Sequence, residues 1–174
     1  ISLRLVGSEM CIRDSDIALI FEPVRSNYIE TISTINQPIQ AVMSQEHPLS
    51  KFKSINLADC LKYPLALPPS PYAVREILET AAAEESLDLN PTVEAESYIF
   101  LHNFVSRKKN AISFEVEIDV PKQSLNRSIS TVPINLSKSH QGQIHLLKLQ
   151  GRTFSGATEP VSYTHLRAHE TKTD

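Results

Sequence analysis

PLALPPSPYAVREILETAAAEESLDLNPTVEAES, Pro64–Ser97, reads as a strand, a helix and a second strand. PLALPP is a short apolar run closed by two prolines, which cannot donate to a sheet and push their predecessors out of helical space, as at the end of a buried strand. In PSPYAVREILETAAAEESLDLN, Ser70 is placed to cap a helix, and Pro71 at the first helical position lacks an N–H that would go unpaired anyway. Val74, Ile77, Leu78 and Ala81 form one apolar stripe, with Glu76, Glu79 and Glu84 toward other faces. A surface helix of about four turns packed on a sheet is expected. PTVEAES is then the next strand.

The pattern continues on both sides. DIALIFEPV (16–24) is a continuous apolar run, as expected for a strand buried on both faces. A polar stretch follows, then QPIQAVMS (37–44), a second strand leading into the loop EHPLSKF. INLADCLKY (55–63) has Asn56 as a cap candidate before Leu57, Cys60 and Leu61 at helical spacing. Beyond Ser97, YIFLHNFVSRK (98–108) is a helix with Ile99, Phe100, Phe104 and Val105 inward. NAISFEVEI (110–118) is a strand alternating Ile112, Phe114, Val116 and Ile118 with Ser113, Glu115 and Glu117. VPKQSLNRS is a short helix or turn, ISTVPIN and QIHLLKLQG are strands, and GRTFSGATE starts a helix. Strands alternating with helices predict an α/β fold with a mostly parallel sheet.

The two ends have a different origin. Glu9–Asp14 written GAG ATG TGT ATA AGA GAC gives, on the opposite strand, Val161–Leu166. From Ile1/Asp174 to Asp14/Val161, residue i and residue 175 minus i always have reverse-complementary codons available. The ends read as one inverted DNA element translated in both directions, and it resembles a transposon-end sequencing adapter. Residues 1–15 and 160–174 are therefore taken as non-native, and Cys11, His165 and His169 as reading-frame accidents rather than metal ligands. With both ends open, the parent protein is expected to continue in both directions.

The formal charge is −3, and removing the ends takes four basic and four acidic residues, leaving it unchanged. A mildly acidic body argues against this segment gripping nucleic acid by itself, which needs clustered Lys and Arg. Cys60 alone remains, so no internal disulfide framework is possible, as suits a reducing cytosol. No apolar run is long enough to cross a bilayer. Only Gly142, Gly151 and Gly156 remain, and neither a P-loop nor a dinucleotide fingerprint is present. There is no GxSxG elbow and no paired Cys/His metal spacing, so no catalysis, cofactor or metal is expected.

Two places look like a ligand cleft. At PPSPY a strand feeds a helix whose start, with the Ser70 hydroxyl and the backbone N–H groups from Tyr72 onward, suits a carboxylate or other anion; a plain helix cap is the competing reading. At EAESY, Glu96 and Ser97 stand at the carboxyl end of a strand, where open α/β sheets bind ligands, and Ser97 again doubles as a cap. His47 reads as a loop element, His102 as a satisfied or exposed helix residue, and Cys60 as a packed small residue.

VMSQEHPLS, INLADCLKYPLALP, the helix beginning SPYAVREIL, the VEAES strand edge and the closing LLKLQGRTFSGATE, in that order, resemble the effector-binding domain of LysR-type transcriptional regulators. The resemblance covers essentially all of residues 16–159. It implies a two-lobed fold of the type II periplasmic-binding-protein kind with one lobe incomplete: 16–42 a partial first lobe, 43–141 the second lobe, 142–159 the return to the first. Crossing strands around Gln40–Val42 and Gln143–Leu147 would be the hinge. A small effector, with an anion among the candidates, would bind between the lobes through Ser70, Tyr72, Glu96 and Ser97, joined by Phe21 and Glu22 from the first lobe. The parent would be a cytoplasmic homodimer or homotetramer holding DNA only through a helix-turn-helix domain absent from this chain. The alternative is a solute-binding protein of the same fold serving a transporter. Two departures from the family pattern stand out: SRKKNA, with Asn110 as a tolerable left-handed residue, replaces a glycine-containing turn, and SFEVEI makes one wall more acidic.

Overall fold

The computed structural model describes residues 17–22, 26–116, 128–137 and 140–151. The chain divides into two compact units, one formed by residues 1–35 and 144–174 and the other by the continuous segment 36–143. The chain therefore passes between units at Ile35/Asn36 and at Gln143/Ile144.

The discontinuous unit carries a three-stranded sheet in the order β1 (Ala18–Phe21), β9 (Gly142–Leu149), β2 (Ile29–Gln37). β1 and β9 are antiparallel, Ala18 opposite Leu147 and Phe21 opposite Ile144. The Tyr28 carbonyl accepts from the Gln150 amide at 2.9 Å, and Lys148 reaches Glu30 at 3.2 Å. Two expectations change here. β1 is not buried on both faces, since Leu19 is 66% exposed. The polar stretch after it contains β2, nine residues long, whose partial burial leaves no clean alternation to read.

The continuous unit holds a six-stranded sheet in the order β4 (Ile55–Asn56), β8 (Ile129–Asn135), β3 (Ile39–Ser44), β7 (Ile112–Val116), β5 (Leu65–Leu67), β6 (Val93–Glu94). β4 runs parallel to β8, and β5 parallel to both β6 and β7. Only β3 is reversed, antiparallel to its neighbours β7 and β8. All six residues of β3 are buried, because it is central and covered on both faces, so its sequence cannot alternate.

The helices are α1 (Leu57–Cys60), α2 (Ala73–Glu84) and α3 (Tyr98–Arg107), with a 3-10 turn at Pro48–Lys51. The crossover β5–α2–β6 runs outward along the sheet and β6–α3–β7 runs back, so the usual right-handed sense puts α2 and α3 on opposite faces. The pleat agrees. Leu101 and Val105 of α3 cluster with Val42, Ala66, Ala111 and Ile129, which leaves Ala41, Met43, Leu65, Leu67, Ile112 and Phe114 for the α2 face.

α2 differs from expectation at its start. Tyr72, not Ser70, is the N-cap residue, with no side-chain cap bond. The Tyr72 amide donates to the Pro69 carbonyl at 3.0 Å, so a turn through Ser70 and Pro71 precedes a helix of 12 residues, nearer three turns than four. Its end is a Schellman motif: the Ser86 amide donates to Ala83 O at 3.1 Å and the Leu87 amide to Ala82 O at 2.8 Å. Ser86 takes the left-handed φ of 55° that the motif requires. Asn110, expected as a left-handed candidate, is not among the positive-φ residues.

The phase of α3 also differs. Leu101 and Val105 are buried, whereas Ile99 and Phe100, expected inward, are 75% and 50% exposed. The inward stripe is Tyr98, Leu101, His102 and Val105, at i, i+3, i+4 and i+7. The short helix or turn expected at 120–128 and the helix start expected at 151–159 lie almost wholly outside the described residues. Among the described residues no helix is long and apolar enough to cross a membrane.

His47 pins the opposite edge of this sheet. It is buried, its Nδ1 accepts from the Leu49 amide at 3.1 Å to cap the 3-10 turn, and its ring meets Tyr63 edge-on at 4.4 Å. Burial holds its pKa below the ordinary 6.5, opposed by the Asn110 carbonyl, which favours the protonated ring. Between the folded and unfolded pKa values the unfolded chain binds more protons. The neutral ring's contribution is therefore complete above about pH 6.5 and is lost as pH falls below it. Urea unfolding at pH 5.5 and 7.5 should show that loss. His47→Asn, which keeps an acceptor at the cap position but does not titrate, should flatten it.

Candidate functional site

β4, β5, β6, β7 and β8 all run one way, so their carboxyl ends lie along one edge of the sheet, together with the beginning of β3. In open α/β sheets this is the edge where ligands bind. β5 and β6 pair through Ala66/Val93 and Leu67/Glu94, so the loops that follow them, 68–72 and 95–97, emerge side by side. The four residues expected from the second lobe are thus brought to one place. Ser70, Glu96 and Ser97 are exposed there and Tyr72 is half-buried. Ser97 caps α3, its Oγ accepting from the Phe100 amide at 3.3 Å, while its own hydrogen stays available to donate. Phe21 and Glu22 belong to the other unit, Phe21 closing β1 and Glu22 in a left-handed turn with φ 46°.

Three further side chains share this edge. His102 Nε2 lies 2.8 Å from Glu115 Oε2, both largely buried. Tyr98, one turn before His102 on the same face of α3, is close enough to Glu115 and Tyr72 that burial first, then the Glu115 charge, then Tyr72 push its pKa up. Sequence reasoning read His102 as a satisfied or exposed helix residue and Glu115 only as part of SFEVEI, a more acidic wall, and did not pair the two. The signal was present: Tyr98 and His102 stand at i, i+4, and strand alternation puts Glu115 on the same face as Ser113, the α3 face.

Arg75 sits just inside, 7% exposed, with Nε 2.6 Å from Glu79 Oε1 and Nη1 2.9 Å from Glu94 Oε1. It locks α2 to the end of β6 and so sets the spacing of the two loops. Gln37 Oε1, two residues before β3, is shielded from solvent and accepts no hydrogen bond.

The described residues include no group of three or more His, Cys, Asp or Glu side chains that could hold a metal ion. Cys60 is fully buried on α1, and burial followed by the Asp59 charge pushes its thiol pKa up to about 12. A thiolate is the reactive species, so Cys60 is expected to resist iodoacetamide in the native chain and to react fully in urea. Rapid native alkylation at Cys60, read by peptide mapping apart from Cys11, would contradict its burial.

Comparison with known proteins accords with this architecture. The LysR substrate binding domain model matches residues 7–154. The effector binding domain of QuiR, solved in complex with shikimate, superposes with a TM-score of 0.73 at 21% identity over 99% of this chain and 80% of that one. The CcmR regulatory domain of Synechocystis PCC6803, in complex with 2-PG, gives 0.75 at 13% identity over 98% and 80%. Full-length BenM gives 0.73 at 16% identity over 95% of this chain but only 55% of its own length. The fold is that of the type II periplasmic-binding-protein-like effector domains, and the chain belongs to the LysR substrate-binding domain family.

Proposed function

We propose that this chain is the effector-sensing part of a LysR-type transcriptional regulator, and that it binds a small molecule with Ser70, Tyr72, Glu96 and Ser97 of its larger unit. The observation that carries this is the convergence of the 68–72 and 95–97 loops at the carboxyl edge of the six-stranded sheet, in a chain of this family. The shikimate and 2-PG complexes of QuiR and CcmR support a ligand at such a domain. Phe21 and Glu22 are the contribution proposed for the other unit, and the parts proposed for the lobes are 16–42, 43–141 and 142–159. The chain spans about half of full-length BenM, and DNA contact is assigned to a helix-turn-helix domain of the parent. The parent works in the cytoplasm as a homodimer or homotetramer, and the outward Ile99 and Phe100 of α3 are apolar surface that assembly would cover. The role is to sense rather than to catalyse. The family match speaks against a solute carrier for a transporter.

The test is transcription from the parent's own promoter across a small-molecule collection. Tyr72→Ala and Glu96→Ala are expected to raise the concentration for half-maximal response about tenfold, equivalent to ~1.4 kcal/mol of binding. DNA affinity without inducer should hold. A response unchanged in both variants places the ligand elsewhere.

A further inference from the structure

β3 is buried along its whole length, yet two of its residues, Gln40 and Ser44, are polar. Ser44 has a structural explanation, since its Oγ accepts from the Glu46 amide at 3.3 Å where the strand ends. Gln40 has none. It is 8% exposed, and no described residue hydrogen-bonds its side-chain amide. Its neighbours on the ladder do not serve: Pro133 of β8 has no polar side chain, and the Glu115 carboxylate of β7 turns to His102. Enclosing an amide that lacks a partner is destabilising. A polar residue that breaks an apolar pattern without a compensating bond belongs to a functional site more often than to the scaffold.

The fold gives this amide a direction. β3 is the reversed strand, so its second residue lies at the carboxyl edge, where the loops 68–72 and 95–97 emerge. Strand alternation puts Gln40 on the face of Val42, which packs against Leu101 and Val105 of α3. The side chain therefore lies under the amino-terminal half of α3, the helix that Ser97 caps. Its amide is not sealed in. The fully shielded unpartnered atoms of the described residues are Gln37 Oε1 and His47 Nε2, so the small exposed part of Gln40 includes the amide.

We propose that Gln40 is a further effector contact of the larger unit, its amide hydrogen-bonding a polar group of the bound molecule. This rests on the effector-binding reading above and adds to it a residue from a central strand rather than from a strand-to-helix loop. A carboxamide presents donors and an acceptor side by side. The group that faces it therefore carries oxygen or nitrogen: a hydroxyl, a carbonyl, an amide, or the carboxylate considered from sequence. A site built around such a group rejects an analogue that lacks it, because its own amide is then left unpaired.

The test sets the stability of the 174-residue chain beside the response of the parent. Gln40→Met keeps the length and bulk of the side chain and removes only the amide. Its urea midpoint is expected to equal or exceed that of wild type, since no bond within the fold is lost. At the parent's own promoter, the concentration of the inducer returned by the compound collection should rise about tenfold for a half-maximal response. Ser44→Ala, which does lose a bond, should do the reverse, with a lower midpoint and an unchanged response. Among analogues of that inducer with single oxygen or nitrogen groups replaced by hydrogen, one should be penalised by wild type and not by Gln40→Met. A lowered midpoint in Gln40→Met would show that the amide is bonded within the fold, and an unchanged response would show that it meets water alone. Either result overturns the contact and leaves Tyr72 and Glu96 to stand on their own variants. A collection that yields no inducer counts against both readings.

Discussion

Phe114→Ala is expected to lower the unfolding free energy of the six-stranded unit by about 3–5 kcal/mol, a large share of the ~5–15 kcal/mol of a typical domain. Phe114 is wholly buried at the centre of β7, opposite Ala41 of β3. Its ring fills the layer between the sheet and α2, where Ala41 supplies no bulk to take its place. The cavity cannot collapse without moving a central strand, so the cost includes the void as well as the lost transfer term. Urea midpoints followed by circular dichroism measure it, with Phe52→Ala, 59% exposed, as a control expected within about 0.5 kcal/mol of wild type. A loss below about 1 kcal/mol would mean that the α2 face is not closely packed.

The second large effect is expected at Arg75. Arg75→Ala removes charge-assisted bonds of 2.6 and 2.9 Å and should cost about 1.5–3 kcal/mol. It does not reach the full penalty of a broken buried pair, because Glu79 and Glu94 keep 43% and 49% of their side chains in solvent. Coupling is the sharper readout. Once Arg75 is gone, Glu94→Gln should cost almost nothing, whereas in the wild-type background it should destabilise. Additive losses would show that the ion pair is incidental. Because Arg75 joins α2 to the end of β6, the same variant should also weaken any ligand held by the loops after β5 and β6.

The strand, helix and strand across Pro64–Ser97 could be read because prolines, a polar turn and an apolar stripe mark their limits within the segment itself. β2 could not, because IETISTINQ mixes polar and apolar residues on a half-covered sheet and its partner β9 lies more than a hundred residues away. α3 was placed correctly, and Val105 is buried and Phe104 packs against the core as expected, but its first turn faces the other way. Ile99 and Phe100 are the bulkiest candidates for the inside, yet Tyr98 and His102 turn inward beside Glu115, a polar contact no local apolar pattern announces. Arg75 shows the same limit: a charged residue in an apolar stripe is interpretable only once Glu94, nineteen positions on, is known to face it. At the candidate site, the loops were visible as strand-to-helix transitions, while their side-by-side placement depends on β5 pairing with β6.

The reversed strand β3 and the split smaller unit bear on the order in which the molecule can assemble at the ribosome. Every strand of the larger sheet has been synthesised once residue 143 has emerged, so that part can close while β1 still waits for its partner, Ala18 needing Leu147. Early-made strands held open in this way are exposed to the wrong neighbours for the longest time, which makes the interval between the synthesis of β1 and that of β9 the one in which this chain is most easily lost.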